Sequence, residues 1–245
     1  MSDADVIEIF SSAQGEGKFL GCRQVFVRLA GCNLNCNFCD TEFNRTEFCR
    51  VETSAGSMTF RNEKNPLDAA LVAERIKIFY DEVPTHSISF TGGEPLLHWE
   101  FIRDVAALTK DFGAKIFLET NGTLPAEFEK ISNAIDFVSM DIKLPNVVGK
   151  NLFGVHEKFL RVAREKDLCV KIVVTGETSD AEFFSAIELV ANVDEKIFVV
   201  LQPVTPVNGV RAVAAKKILS WQAAALRRLE NVRVIPQTHK FIDVL

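Results

Sequence analysis

Three cysteines fall within eight positions in Gly31-Cys32-Asn33-Leu34-Asn35-Cys36-Asn37-Phe38-Cys39-Asp40-Thr41, just after an apolar run. Thiolates this closely spaced suit a metal. A tetrahedral zinc site normally takes four protein ligands, whereas a four-iron cluster can be held by three cysteines with one iron open to an outside ligand. Neither Cys22 nor Cys49 has the paired spacing of a zinc ribbon, so Cys32, Cys36 and Cys39 point to an iron–sulfur cluster. A zinc knuckle completed by Cys22 or Cys49 is the alternative.

Other residues could bind a small molecule. In Ala13-Gln14-Gly15-Glu16-Gly17 the glycines let the backbone approach a ligand closely, while Gln14 and Glu16 can read donors and acceptors on a heterocycle. A plain surface turn is the competing explanation. Arg28 is the one charge in the run Gln24-Val25-Phe26-Val27-Arg28-Leu29-Ala30, and a buried guanidinium needs a carboxylate, from the protein or from a ligand. In Ser139-Met140-Asp141-Ile142-Lys143, alternate positions send a serine, a carboxylate and an ammonium to one side. An internal Asp141–Lys143 ion pair is the alternative there, as an Asx turn is for Asn121 and a helix N-cap for Thr123.

The elements that must position these residues follow a regular rhythm. Strand-like runs are expected at 6–10, 24–30, 87–91, 115–119, 137–141, 170–175 and 197–202, the later ones separated by amphipathic helical stretches and apolar on both faces. A helix over 66–82 is opened by Pro66, with Asp68 in its first turn. Residues 42–65 are expected to be an excursion, a candidate lid, and 231–245 a C-terminal strand and tail closing the substrate pocket. The pattern predicts a single α/β domain over 1–245, a partial (β/α) barrel. Thr91-Gly92-Gly93-Glu94, Glu119-Thr120-Asn121-Gly122, Asp141-Ile142-Lys143 and Gln202-Pro203 all stand where strands end, so right-handed winding gathers them at one rim.

The 245 residues carry a net charge of -5 with no basic cluster, which disfavours nucleic acid as a partner. No apolar run reaches the roughly 18 residues of a membrane span, and the acidic start Met1-Ser2-Asp3-Ala4-Asp5 is unlike a signal peptide, so a cytoplasmic location is expected. Cys22, Cys49 and Cys169 are expected bystanders, Cys169 as a core residue.

The Cys-x3-Cys-x2-Cys spacing with Phe38 before the last cysteine, followed later by Gly92-Gly93-Glu94-Pro95, resembles the radical S-adenosylmethionine (SAM) enzymes. The resemblance implies a 4Fe-4S cluster whose open iron chelates SAM, and one-electron cleavage releasing a 5′-deoxyadenosyl radical. It implies a cofactor site at Gly93, Glu94, Glu119, Ser139, Asp141, Lys143, Gln202 and Pro203.

Taken with Ala13-Gln14-Gly15-Glu16-Gly17, Cys39-Asp40-Thr41 and Pro236-Gln237-Thr238-His239-Lys240, the chain is similar to the 7-carboxy-7-deazaguanine synthase family. That family contracts 6-carboxy-5,6,7,8-tetrahydropterin to 7-carboxy-7-deazaguanine with loss of ammonia, on the route to 7-deazapurines such as queuosine. The resemblance implies pterin contacts from Ala13, Gln14, Gly15, Glu16, Arg28, Thr91 and the terminal carboxylate of Leu245. It also implies Mg2+ at Thr41, with Asp40 as local competitor, a flavodoxin- or ferredoxin-like electron donor, and a homodimer. A glycyl-radical activase and a non-catalytic zinc protein are the rivals.

Overall fold

Runs rich in Val, Ile and Phe build a ten-stranded sheet in the computed structural model of the chain, which describes residues 1–244. In chain order, β1 (Asp3–Ala4) precedes β2 (Val6–Ala13) and β3 (Arg23–Leu29); then come β4 (Phe48–Glu52), β5 (Phe60–Lys64), and β6 (Leu67–Asp68), which pairs with β1 and leads into α1 (Ala69–Glu82). Strands and helices then alternate: β7 (Ser87–Gly92), α2 (Trp99–Thr109), β8 (Ile116–Thr120), α3 (Pro125–Ile131), β9 (Phe137–Asp141), α4 (Pro145–Val148) and α5 (Phe153–Ala163). The chain closes with β10 (Asp167–Val174), α6 (Asp180–Val193), β11 (Phe198–Pro203), α7 (Ala215–Ala225), β12 (Val232–Val234) and α8 (His239–Ile242).

The sheet order is β12-β11-β10-β9-β8-β7-β3-β2-β4-β5. From β3 to β12 every neighbouring pair is parallel, with helices as the crossovers, and β2 runs antiparallel to β3. This mostly parallel α/β sheet is the partial barrel that the βα rhythm predicts.

Period-two alternation divides the sheet into two chemistries. Ile88 and Phe90 of β7, Leu118 of β8, Val138 and Met140 of β9, and Val170, Ile172 and Val174 of β10 are buried against Val72, Ile76, Phe101, Phe128, Phe159 and Phe183 of the helices. Burial of each such side chain contributes about 1.5–3 kcal/mol. The intervening positions face the other way, and Thr91, Glu119, Ser139, Asp141, Lys171 and Gln202 among them border a cavity. The expectation of strands apolar on both faces is therefore corrected: one face packs on helices and the other is largely polar because it lines the cavity. Near the start of the strands, Phe19, His86, Phe117 and Phe137 pack ring on ring and close that inner face.

Three local expectations change. Residues 42–65 are not irregular throughout: β4 and β5 form an antiparallel hairpin that extends the sheet beyond β2. The first helix begins at Ala69, not Pro66, because the Asp68 side chain caps it by accepting from Leu71 N at 2.9 Å. Thr123 caps no helix; it follows an Asx turn in which Asn121 Oδ1 accepts from Thr123 N at 3.1 Å.

Candidate functional site

A cavity of about 660 Å³ opens where the parallel strands end. Cys32, Cys36, Cys39 and Thr41 enter it from the loop after β3, Ala13, Gln14, Gly15 and Glu16 from the turn after β2, and Arg28 from β3 itself. Thr91 and Gly93 reach it from β7, Glu119 from β8, Ser139, Asp141 and Lys143 from β9 and just beyond, and Gln202 from β11. Two residues expected at the cofactor are not among those lining it: Glu94, which is wholly buried, and Pro203, the last residue of β11. Leu245 lies outside the described residues; its neighbour Val244 borders the cavity.

Glu94 instead ties loops together. Its carboxylate accepts from Leu96 N (3.1 Å), Thr120 Oγ1 (2.8 Å) and Asn121 N (2.7 Å). Burial pushes its carboxyl up to about 7, against the pull of those bonds. Asn121 Nδ2 in turn donates to Asn33 Oδ1 at 2.8 Å, inside the cysteine loop. Behind Asn121, His156 Nε2 lies 3.1 Å from its carbonyl oxygen; burial lowers the imidazole to about 4, so the neutral ring donates. Gly93 must be glycine, since a Cβ there would stand 1.8 Å from Gly31 O.

The Gln14 side chain is fully engaged within the protein. Its Nε2 donates to Gln24 Oε1 and Glu119 Oε1, both at 2.9 Å, and its Oε1 accepts from Glu16 N at 3.0 Å. Its backbone is engaged as well, N donating to Cys22 O and O accepting from Gly21 N, both at 2.8 Å, so Gln14 shapes the turn. Glu16 contacts the Lys171 ammonium and accepts from Gln237 Nε2 at 2.9 Å. Burial alone would raise the Glu16 carboxyl; Lys171 and Gln237 override it and hold the group at about 2. Lys171 also lies 3.5 Å from Asp141 Oδ2, which accepts from Lys143 Nζ at 2.7 Å. The Asp141–Lys143 pair therefore exists, yet Asp141 Oδ1 is buried without a partner, as is Gln202 Oε1.

Several members of the site escaped the sequence. Glu8 meets Arg28 Nε at 2.8 Å, so Arg28 pairs with a protein carboxylate while still bordering the cavity. Lys171 carried a readable signal, a single charge in an apolar strand, the same one that marks Arg28. Gln237, His239 and Lys240 did not escape the sequence, since the tail motif marks them; they border the cavity, and Lys240 engages Asp40. Cys49 and Cys169 are buried away from the cluster loop, and burial pushes the Cys169 thiol up to about 12.

The radical SAM superfamily profile matches residues 27–190. The 7-carboxy-7-deazaguanine synthase of Geobacter sulfurreducens is 39% identical over 246 residues, covering 99% of this chain and 98% of that one. The enzyme of the same name from Archaeoglobus fulgidus is 39% identical over 248 residues, 98% and 99% of the two chains. The chain belongs to the 7-carboxy-7-deazaguanine synthase family of radical SAM proteins. Its fold is similar to that of QueE from Escherichia coli, with a TM-score of 0.62 at 19% identity over 97% of this chain and 95% of that one.

Radical SAM membership implies a four-iron cluster and SAM, and the residues present fit both. Cys32, Cys36 and Cys39 are partly exposed thiols on one cavity wall; burial raises Cys32 and Cys36, so bound metal is what would hold them as thiolates. Among the described residues no three His, Cys, Asp or Glu side chains converge as on a single ion. Asp141 Oδ1 and Gln202 Oε1, buried without partners on residues that border the cavity, are acceptors of the kind a ligand's hydroxyls and amines could satisfy.

Proposed function

We propose that the chain converts 6-carboxy-5,6,7,8-tetrahydropterin to 7-carboxy-7-deazaguanine with release of ammonia, in 7-deazapurine biosynthesis of the queuosine type. The observation that carries this is one cavity bordered by the three cysteines, the Gly93 strand end, Arg28 and the Ala13-to-Glu16 turn together. Full-length similarity to synthases favours it over a glycyl-radical activase, for which the turn and tail would have no use.

Cys32, Cys36 and Cys39 hold the cluster, which with SAM supplies one-electron cleavage and an organic radical when both are bound. Gly93 offers backbone unobstructed by a side chain, while Ser139, Asp141, Lys143 and Gln202 meet the cofactor's polar groups. Glu119 faces the cavity held by Gln14 and by Thr91 Oγ1, which donates to it at 2.9 Å. The turn backbone at Ala13 and Gly15 fits the amide-like edge of a pterin, and Arg28 its carboxylate. The chain's part is positioning and exclusion of competing hydrogen donors.

Mg2+ at Thr41 belongs to the same proposal; Asp40, the alternative ligand, is engaged by Lys240. So do a flavodoxin- or ferredoxin-like donor and a homodimer. A cytoplasmic location accords with six unpaired cysteines, and among the described residues no helix is long and apolar enough to cross a membrane. Anaerobically reconstituted protein given the pterin, SAM, Mg2+ and a reductant is expected to form the deazaguanine. No product from cluster-loaded protein would overturn the assignment.

A further inference from the structure

Four side chains on four adjacent strands form one row across the cavity wall. Glu8 is the register partner of Arg50 on β4 and of Arg28 on β3, and Arg28 is the partner of Thr91 on β7. Residues directly opposite across strands share a face, and all four border the cavity. The register of β2 shifts between Val6 and Glu8, a bulge that re-aims Glu8 toward the cavity.

Glu8 is the pivot of the row. Its side chain is 10% exposed; Oε1 accepts from Arg28 Nε at 2.8 Å, and Oε2 lies 3.5 Å from Arg50 Nη1. One carboxylate between two guanidiniums leaves a local excess of positive charge. Each guanidinium is also steadied by a ring, Arg28 Cζ at 5.8 Å from the Phe10 centroid and Arg50 Cζ at 4.3 Å from that of Phe60. The Thr91 hydroxyl at the end of the row is committed to Glu119, so it has no hydrogen to give an anion here. Arg28 and Arg50 stand two strands apart, roughly 10 Å at the backbone, a span that two arginine side chains close over Glu8.

We propose that Arg50, carried on the β4–β5 hairpin, is a second binding residue for the carboxylate of the substrate, and that Glu8 is the positioning residue that aims Arg28 and Arg50 at it. The inference rests on the pterin reading above and deepens it: the hairpin of residues 48–64 becomes part of the substrate site, and the pair of arginines sets selectivity for a carboxylated pterin.

The test compares two stable probes, 6-carboxypterin and pterin, by titration into anaerobically reconstituted, SAM-loaded holoenzyme. Wild type is expected to prefer the acid. Arg50→Gln and Arg50→Ala, at a half-exposed position, are expected to reduce that preference about tenfold, the scale of one lost charge-assisted hydrogen bond, with KM raised and kcat kept within about twofold. Glu8→Gln separates aiming from simple charge: removing a negative charge would tighten the acid by electrostatics alone, whereas loss of aiming loosens it. An unchanged probe ratio in both Arg50 variants, or tighter acid binding in Glu8→Gln, overturns the inference while product formation by wild type leaves the reaction assignment standing. If wild type binds neither probe and forms no product, both fall.

Discussion

Lys171 of β10 contacts Glu16 of the turn after β2 and lies 3.5 Å from Asp141 of β9, so one ammonium joins the expected substrate turn to the expected cofactor strand. Burial works against its charge, yet Asp141 and Glu16 hold its pKa well above the ordinary lysine range. Lys171→Met leaves the largely buried Glu16 carboxylate without its cation, while Asp141 keeps Lys143, and is expected to cost about 3–5 kcal/mol in urea unfolding at neutral pH. The pH dependence has a definite sign. Glu16 is held at about 2, below its ordinary 4.5, so its contribution is full above pH 4.5 and is lost as pH falls toward 2. The gap between wild type and Lys171→Met should therefore narrow in acid; a gap that stays constant would show that Lys171 does not hold Glu16 charged.

Glu94 gives the opposite sign. Its carboxyl is raised from 4.5 to about 7, so its contribution is fullest below pH 4.5 and declines as pH rises through 7. Glu94→Gln removes that slope but supplies only one acceptor oxygen where Leu96 N, Thr120 Oγ1 and Asn121 N all donate. It is expected to cost on the order of 1–3 kcal/mol at pH 5 and less at pH 8, read from urea melts at both values. The cost should come with reduced iron loading, because Asn121 would loosen its hold on Asn33.

The parallel strands were legible because each is a short Val-, Ile- or Phe-rich run between helical stretches, and observed strand ends lie within a few residues of those expected. The cysteine loop was legible for a different reason: its chemistry is encoded in spacing, which survives without knowledge of the fold. The hairpin at 48–64 was not, since its outer strand Phe60-Arg61-Asn62-Glu63-Lys64 is an edge with few apolar positions and shows little periodicity. Glu8 and Lys171 were hidden by long-range pairing. Nothing local to either says that its partner is 20 or 155 residues away. Glu94 was misplaced because a glycine-rich strand end marks a ligand site without saying which residue faces it.

The cysteines divide sharply. Cys36→Ala is expected to abolish cluster loading, measured as iron and sulfide per chain after anaerobic reconstitution. Cys22→Ser should load fully, and Cys169→Ser should load fully while losing about 1–3 kcal/mol of stability from a buried hydroxyl. Zinc, rather than iron, in wild-type protein lost on mutation of Cys22 or Cys49 would restore the knuckle.

The tail is held against the turn by three hydrogen bonds: Thr238 N and Oγ1 donate to Gly15 O at 2.9 and 3.1 Å, and Gln237 Nε2 donates to Glu16 Oε1 at 2.9 Å. A Cβ on Gly15 would stand 2.3 Å from His239 Nδ1 and 2.6 Å from His239 Cβ. The ring could rotate away, but the His239 Cβ is fixed to the backbone, so Gly15→Ala must move the tail. Gly15 has no positive φ, so the substitution acts through this clash and leaves the turn itself unstrained. Trypsin cleavage after Lys240 is expected to accelerate, and affinity for 6-carboxypterin to fall at least about tenfold with SAM binding unchanged, because the SAM contacts proposed above lie on β9 and β11 and not on this turn. Equal cleavage rates in wild type and Gly15→Ala would mean that the tail does not depend on this contact, and the substrate pocket would then have to be closed by something else.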